Sequence, residues 1–201
     1  MTTYTTPTDW KAEGWWRNRK ADERLFHLKA PKRTRKYDFM NLDLSDQIIN
    51  QARDWVTNYN PGDCLLIHGR VGAGKTTLAQ VITKELVTTR PLSGRFVSSD
   101  MYIDMLQDSF NHNNELPEMY STPQLLKYLN GVFDIVVLDG VGHERNTEFT
   151  RHEIGSLVRR RYEDEKSTII TTSLSPTDFL NHYGDRVKLA LSDMAQINIK
   201  F

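Results

Sequence analysis

The chain has 201 residues, of which 38% are hydrophobic and 26% are charged, with equal numbers of acidic and basic side chains. This length suits one α/β domain with a short appendage, and the composition is ordinary for a globular protein. No apolar run is long enough to span a membrane, and the first residues lack the apolar core of a signal peptide, so we expect a cytoplasmic protein without a membrane partner.

Charge is distributed unevenly along the chain. Residues 1–36 contain ten Lys or Arg and four Asp or Glu, whereas residues 37–201 contain sixteen and twenty-two. This asymmetry predicts a basic N-terminal arm, residues 1–36, ahead of a main domain, residues 37–201. Within the arm, Asp9 is suited to cap a helix that runs to about residue 29, before Pro31 and the basic run KRTRK end it.

The main domain alternates between predicted strands and helices. The predicted strands cover 63–69, 94–99, 133–140 and 167–173, and the predicted helices cover 45–59, 75–90, 100–110, 123–131, 147–165 and 175–184. Because the strands are almost continuously apolar, this alternation indicates a mostly parallel sheet with helices on both faces. The run RRRYEDEK, which begins at Arg159, is interpreted as the exposed end of a helix rather than the Arg-rich lid of a small-molecule kinase.

The stretch GRVGAGKTT, which begins at Gly69, fits the phosphate-binding pattern G-x-x-x-x-G-K-[ST]. Its glycines let successive backbone N–H groups point at phosphate oxygens, while Lys75 reaches the β- and γ-phosphates and Thr76 offers its hydroxyl to Mg²⁺. The following helix directs its positive end at the anion. The nucleotide-binding residues predicted from this loop are Arg70, Val71, Gly72, Ala73, Gly74, Lys75, Thr76 and Thr77.

A P-loop needs a partner acid, and Asp139 ends the most apolar predicted strand. An aspartate at such a position holds Mg²⁺ in P-loop NTPases. Many ATPases carry a second acid directly after it to prepare the attacking water, but this chain has Gly140 there. Glu144 is an alternative acid if the turn folds back, and His143 is expected to be a solvated loop residue. We therefore expect ATP and Mg²⁺ to bind, and hydrolysis by the chain alone to be slow.

Polar side chains end the predicted strand 167–173. Polar groups at the end of a buried strand cost free energy unless they meet a partner. Thr172 and Ser173 are therefore candidates to contact the γ-phosphate or the attacking water. The alternative is that they only mark the point where the strand leaves the core.

The series GRVGAGKTTLA, GRFVSSDMYIDMLQDSF, FDIVVLDGVG, RRRYEDEKSTIITTSLSPTDF and YGDRV resembles the DnaC-type replicative helicase loaders and their relative IstB, the transposition helper ATPase. The resemblance covers about residues 37–192, in order and with similar spacing, and suits either a bacterial or a phage protein. It implies a three-layer P-loop NTPase fold of the AAA+ type, with a five-stranded parallel sheet and a minimal or absent helical lid. It also implies ATP and Mg²⁺ as cofactors, and assembly around a hexameric helicase and single-stranded DNA.

The resemblance assigns roles to single residues beyond the P-loop. Asp139 matches the metal-binding acid, and Ser173 stands where the family usually carries a sensor Asn. Arg186 matches an arginine that can reach the ATP of a neighbouring subunit, although the second arginine expected four residues later is Ala190. Phe110 falls where loaders bring an aromatic side chain to single-stranded DNA, and its alternative role is in the core.

In the loaders, the region before the ATPase core binds the helicase. The arm has a suitable composition, because Trp and Arg dominate binding hot spots. The residues expected to dock on the partner are Trp10, Trp15, Trp16 and Arg17. The same composition also suits direct contact with DNA, or packing of the arm on its own domain.

The favoured function is therefore an ATP-binding loader that forms an oligomer on a replicative helicase and has weak or partner-dependent ATPase activity. The alternative is an IstB-like factor that binds duplex DNA and directs a transposase. A small-molecule kinase is a third hypothesis, which the missing lid argues against. The partner that copurifies with the chain separates the first two.

Overall fold

The computed structural model describes residues 19–111 and 128–199. The strands are β1 (Leu65–Gly69), β2 (Gly94–Ser98), β3 (Ile135–Val141), β4 (Ser167–Thr172) and β5 (Ala195–Ile199). The helices are α1 (Ala21–Leu28), α2 (Asp46–Asn58), α3 (Lys75–Thr89), α4 (Ser99–Asn111), α5 (Glu148–Glu163), α6 (Pro176–Tyr183) and α7 (Lys188–Asp193). Short 3-10 turns cover Lys32–Thr34 and Gly184–Val187, and a π turn covers Tyr128–Val132.

The five strands form one sheet in the order β2-β3-β4-β1-β5, and every neighbouring pair is parallel. Strand β4 thus lies between β1, which leads into the P-loop, and β3, which carries Asp139. Since the carboxyl ends of parallel strands share one edge of the sheet, the P-loop, Asp139 and the polar end of β4 all face the same crevice. The predicted five-stranded AAA+ fold is confirmed.

Helices cover both faces of the sheet. Helices α1, α2 and α3 pack over one face, around buried side chains that include Leu28, Ile48 and Leu78. Helices α4 to α7 pack over the other, around Leu106, Leu157 and other apolar residues. None of the helices in residues 19–111 and 128–199 is long and apolar enough to cross a membrane.

The described part of the arm packs against the main domain. In α1, Leu28 is buried in the core, and Arg24 Nε donates to the carbonyl of Val87 at 2.8 Å. The predicted end of this helix is right, because Lys29 adopts a left-handed conformation with φ 56°. A continuous helix from Asp9 is wrong, since Lys20 is extended, with φ −66° and ψ 157°, and α1 begins after it. The division of the chain at residue 36 stays a prediction.

Two further details of the fold differ from the sequence analysis. Strand β5 has no counterpart among the strands predicted from apolar runs, although the resemblance implied a fifth. The prediction that the run from Arg159 is exposed is wrong for Arg161, which is fully buried. Its guanidinium donates to backbone carbonyls between α5 and the sheet, and this satisfies a charge that burial would otherwise make costly.

Candidate functional site

The P-loop lies between β1 and α3, with its glycines in conformations that other residues rarely adopt. Gly72 and Gly74 have φ values of 81° and 89°, in the left-handed region that favours glycine. The loop is closed by a hydrogen bond from Ala73 N to the carbonyl of Arg70 at 3.2 Å. Helix α3 starts at Lys75, so its positive end points into the loop. This is the geometry that a phosphate-binding loop requires.

Lys75 is held at the centre of the site. Its Nζ donates to the carbonyls of Gly69 and Arg70 at 2.8 and 2.7 Å, and lies 3.4 Å from Ser173 Oγ. Burial lowers the pKa of the Lys75 ammonium, and the carboxylate of Asp139 opposes this shift. The ammonium therefore stands between the P-loop backbone and the end of β4, where it can meet a phosphate.

Asp139 is the hub of a hydroxyl network. Its Oδ1 accepts hydrogen bonds from Thr76 Oγ1 at 2.8 Å and from Thr171 Oγ1 at 2.6 Å. The Thr171 hydroxyl in turn accepts from Gly140 N at 2.9 Å. Thr171 was missed by the sequence analysis, which selected the two residues after it. The alternation of side chains along β4 explains the error, because Thr171 and Ser173 share a face that excludes Thr172.

Thr172 points away from the site. Its hydroxyl donates to the carbonyl of Val141 at 2.6 Å and accepts from Leu174 N at 3.1 Å. The first contact joins β4 to β3, and the second is with the segment that follows β4. The expectation that Thr172 contacts a phosphate or a water is therefore wrong.

The turn after β3 brings His143 to the site and keeps Glu144 away from it. His143 is exposed, as expected of a loop residue, and its Nε2 lies 3.2 Å from Ser173 Oγ. Glu144 is buried, and its two carboxylate oxygens accept hydrogen bonds from Gly142 N and from the Tyr183 hydroxyl. Burial, together with the bond to Glu144, raises the pKa of Tyr183 far above its usual value. Glu144 is committed to this pair and is not a replacement acid for the site.

A cavity of about 550 Å³ extends from the P-loop to the segment that follows α1. Its wall includes Arg33, Lys36 and Tyr37, in addition to the P-loop, Thr171 and His143. Lys84 Nζ donates to the carbonyl of Tyr37 at 3.2 Å and ties this segment to α3. Part of the basic run KRTRK therefore faces the phosphate site, which the sequence analysis missed because only the folded chain brings the two together. Its cations favour an anionic ligand.

A model of the IstB-like ATP-binding proteins matches residues 11–194. The chain belongs to this family. The match includes the P-loop, Asp139 and Ser173, and it extends into the arm. No curated protein sequence gives a significant match.

Several solved structures are similar to this IstB-like protein. The crystal structure of the DnaC helicase loader is 25% identical with a TM-score of 0.71, and the match covers 85% of this chain and all of that one. The crystal structure of DnaI is 23% identical with a TM-score of 0.61, and covers 86% of this chain and 96% of that one. Domain III of the Thermotoga maritima replication initiation protein DnaA is 20% identical with a TM-score of 0.68, over 83% and 68% of the two chains. The last two show the fold alone.

The donor set of the IstB-like site fits Mg²⁺. Thr76 and Asp139 present a hydroxyl and a carboxylate oxygen 2.8 Å apart, next to Lys75 and the P-loop. Mg²⁺ takes oxygen ligands, keeps several waters and is usually held by one or two protein groups together with substrate phosphates. The two side chains are therefore a suitable protein share of a magnesium–nucleotide site.

Several predicted site residues cannot be placed against this site. Trp10, Trp15, Trp16 and Arg17 lie outside the described residues. Phe110 belongs to α4 and Arg186 to the turn Gly184–Val187, but the side chains of both lie outside the described part of the chain. Their roles in DNA binding, partner docking and subunit contact stay predictions.

The structure gives a reason for glycine at position 140 of this IstB-like protein. Gly140 has φ 76° at an irregularity in the pairing of β3 with β4, and its carbonyl accepts from Ser99 Oγ at 3.1 Å and from His143 N at 3.1 Å. A side chain there would find space, since a Cβ would lie 3.8 Å from His143 Cδ2, its nearest contact. The backbone angle, not crowding, thus disfavours an acid at this position.

We expect Gly140→Ala to lower the free energy of unfolding by about 1–2 kcal/mol, the cost of placing an L-residue in the left-handed region. Gly131→Ala is the matched control, because Gly131 also has open space for a Cβ but no positive φ. It is expected to change stability by less than about 0.5 kcal/mol. Urea unfolding of both variants measures the difference, and equal effects would contradict the conformational reason.

Proposed function

We propose that the chain is an ATP-dependent loader of a hexameric replicative helicase, which it helps to place on single-stranded DNA in the cytoplasm. The observation that carries the proposal is the likeness to the DnaC helicase loader, which extends over the whole of that chain at 25% identity and a TM-score of 0.71. The grouping of Lys75, Asp139 and Ser173 at one edge of the sheet supports it, because such a loader needs a site that responds to nucleotide.

ATP would bind to residues that form hydrogen bonds within the site in this structure. Lys75 would exchange the carbonyls of Gly69 and Arg70 for phosphate oxygens, and the P-loop backbone would bind the rest of the phosphate chain. Thr76 and Asp139 would hold Mg²⁺, which neutralises phosphate charge when it is bound. ATP would bind more tightly to the conformation of the loop in which these groups face the phosphates. Its binding would therefore shift the equilibrium towards that conformation.

The proposed switch does not need fast turnover. A loader positions or opens the helicase ring and then dissociates from it. Binding and release of nucleotide are therefore sufficient for each loading cycle. The absence of an acid at Gly140 and the commitment of Glu144 to Tyr183 support slow hydrolysis by the chain alone. Contacts from neighbouring subunits, such as the one proposed for Arg186, would make hydrolysis depend on assembly.

We expect the tagged chain to capture a hexameric helicase from its native cytoplasm in the presence of Mg-ATP. Lys75→Ala should capture at least about tenfold less, because the nucleotide-bound state is the one proposed to assemble. The measurement is affinity purification with identification of the recovered proteins, followed by loading of the recovered helicase on single-stranded DNA. Equal recovery with wild type and Lys75→Ala would contradict the nucleotide switch, and recovery of a transposase would contradict the helicase partner.

Docking of the helicase is assigned to the arm. Replacing Trp15 and Trp16 together by alanine should therefore abolish capture while ATP affinity stays within about threefold of wild type, since Trp side chains are frequent binding hot spots. A variant that loses ATP binding as well would show that these residues support the nucleotide site instead.

A transposition helper of the IstB type is the second candidate, and the family match from residue 11 to residue 194 favours it. Such a protein would coat duplex DNA and direct a transposase. Electron microscopy of the chain with duplex DNA and Mg-ATP tests this function. Regular filaments on duplex DNA, without helicase capture, would replace the loader by this alternative.

A further inference from the structure

We propose that His143 supplies the proton-accepting group that Gly140 lacks, by orienting and deprotonating the water that attacks the γ-phosphate. This inference rests on the proposed function, in which the chain hydrolyses bound ATP slowly. It assigns a reacting role to a residue in the turn after β3, three positions beyond the usual place of the acid.

His143 and Lys75 converge on the same hydroxyl. His143 Nε2 is 3.2 Å from Ser173 Oγ, and Lys75 Nζ is 3.4 Å from that oxygen. A P-loop lysine marks the position of the β- and γ-phosphates. The imidazole nitrogen therefore faces the place where the terminal phosphate and its attacking water would lie, and a hydroxyl already occupies the position between the two groups.

The turn that carries His143 is fixed by its glycines. The His143 N–H donates to the carbonyl of Gly140 at 3.1 Å and closes a four-residue turn, with Gly142 at φ 96° in its third position. A Cβ on Gly142 would lie 3.0 Å from Leu174 Cδ1, so the turn also packs closely against the segment after β4. The glycine that removes the usual acid thus forms the first residue of the turn that returns a histidine to the site.

The neighbouring carboxylates already accept hydrogen bonds from other groups of the protein. Asp139 accepts from two threonine hydroxyls and is a suitable magnesium ligand, and Glu144 accepts from Gly142 N and the Tyr183 hydroxyl. Among the described residues that line the cavity, the other ionisable side chains are two lysines, one arginine and one tyrosine. His143 is the lining residue with a ring nitrogen whose lone pair can accept a proton.

In the proposed step, the water oxygen forms a bond to the γ-phosphorus while the bond from that phosphorus to the β–γ bridging oxygen breaks. The electron pair of the broken bond leaves with ADP. His143 Nε2, in the tautomer that carries its proton on Nδ1, takes a proton from the water and returns it to the released phosphate. Ser173 holds the water by a hydrogen bond, and Lys75 stabilises the charge on the phosphate oxygens.

The test compares His143→Ala with wild type in two assays on the full chain. Affinity for a fluorescent, non-hydrolysable ATP analogue should stay within about threefold. Single-turnover hydrolysis should fall about 100- to 10,000-fold, the usual contribution of a positioned general base. Trapping of Mg-ADP with aluminium fluoride, which mimics the transition state, should be lost in the variant. His152→Ala is the matched control, because His152 is an exposed histidine that pairs with Glu153 on α5.

The outcomes separate this inference from the function on which it rests. Equal hydrolysis by His143→Ala and wild type overturns the inference, and so does hydrolysis by wild type that does not exceed that of Lys75→Ala. In both cases intact analogue binding leaves the proposed nucleotide switch in place. Failure of wild type to bind the analogue overturns the proposed function itself. Loss of analogue binding in His143→Ala with a folded chain also overturns the inference, because it makes His143 a binding residue.

Discussion

Lys75→Ala is expected to reduce the affinity for Mg-ATP by roughly 30-fold to several thousand-fold. The ammonium stands at the centre of the site, with hydrogen bonds to two P-loop carbonyls and a hydroxyl contact at the end of β4. Removing one partner of a buried, hydrogen-bonded charge pair costs about 2–5 kcal/mol, which corresponds to this range of affinities. Titration of a fluorescent ATP analogue measures the change directly, without reference to any partner.

The control for this prediction must remove a lysine without touching the site. Lys188→Ala serves, since Lys188 is exposed at the start of α7. It should bind the analogue like wild type. Circular dichroism should show that Lys75→Ala keeps its fold, because the side-chain contacts that it loses are to two backbone carbonyls and to the Ser173 hydroxyl, and not to the apolar core. An affinity for Mg-ATP within about threefold of wild type would mean that the P-loop does not hold the phosphates as proposed.

The parts of the site that the sequence predicted are those encoded locally. The P-loop pattern fixes its own backbone through glycines, and the apolar run before Asp139 defines a central strand with the acid at its end. Their proximity then follows from the rule that parallel strands present their carboxyl ends at one edge. The contact of Thr76 with Asp139 at 2.8 Å is what this reasoning leads one to expect.

The remaining contacts at the site depend on backbone angles and on packing between distant segments, which the pattern of apolar residues does not predict. The turn that brings His143 to Ser173 follows from positive φ values at Gly140 and Gly142, and a glycine in sequence does not state which φ it will adopt. Arg33 and Lys36 reach the cavity only because α1 packs on α3 and the chain then returns over the P-loop.

Strand β5 and helix α5 show that weaker patterns were present in the sequence. In β5, Ile197 and Ile199 are buried whereas Gln196 and Asn198 are exposed, the alternation of a strand at the edge of the sheet. This run is short and half polar, so it does not resemble the continuous apolar strands at the centre of the sheet. Continuous apolar runs therefore predict four of the five strands and leave out β5.

In α5 the helical period marks the buried face. Ile154, Leu157, Val158 and Arg161 follow the spacing i, i+3, i+4, i+7, and all four are buried. The charge of Arg161 hides this match in the sequence, because arginine is rarely fully buried unless it is paired. Here the partners are backbone carbonyls on other elements, and these carry no sequence signature.

The second large effect is expected at Arg161. Its guanidinium donates to the carbonyls of Phe133 and Asp134 at 3.2 Å and of Ser167 at 2.7 Å, to Thr168 Oγ1 at 3.1 Å, and to the carbonyl of Leu129. One side chain thereby joins α5, the entry to β3 and the start of β4. Burial lowers the pKa of Arg161 to about 10, which leaves the guanidinium charged at neutral pH.

We expect Arg161→Met to lower the free energy of unfolding by about 3–5 kcal/mol. Methionine fills a similar volume but donates no hydrogen bond, so several buried carbonyls lose their partner at about 1–3 kcal/mol each before the structure relaxes. For a chain of this size the loss corresponds to a fall in melting temperature of roughly 6–20 °C. Urea unfolding and calorimetry measure both quantities.

Arg159→Ala is the control for this substitution, two residues away on the same helix. Arg159 is exposed and pairs with Glu163 at 3.0 Å, an i,i+4 contact worth about 0.3–0.5 kcal/mol. A large loss in Arg161→Met beside a small one in Arg159→Ala would show that the stabilisation comes from the buried carbonyl contacts and not from the basic run as a whole. Because the Arg161 contacts lie at the amino ends of β3 and β4, far along the strands from Asp139, the variant should still bind ATP at temperatures where it remains folded. Similar losses in the two variants, or a stable Arg161→Met chain, would refute this account of why an arginine is buried there.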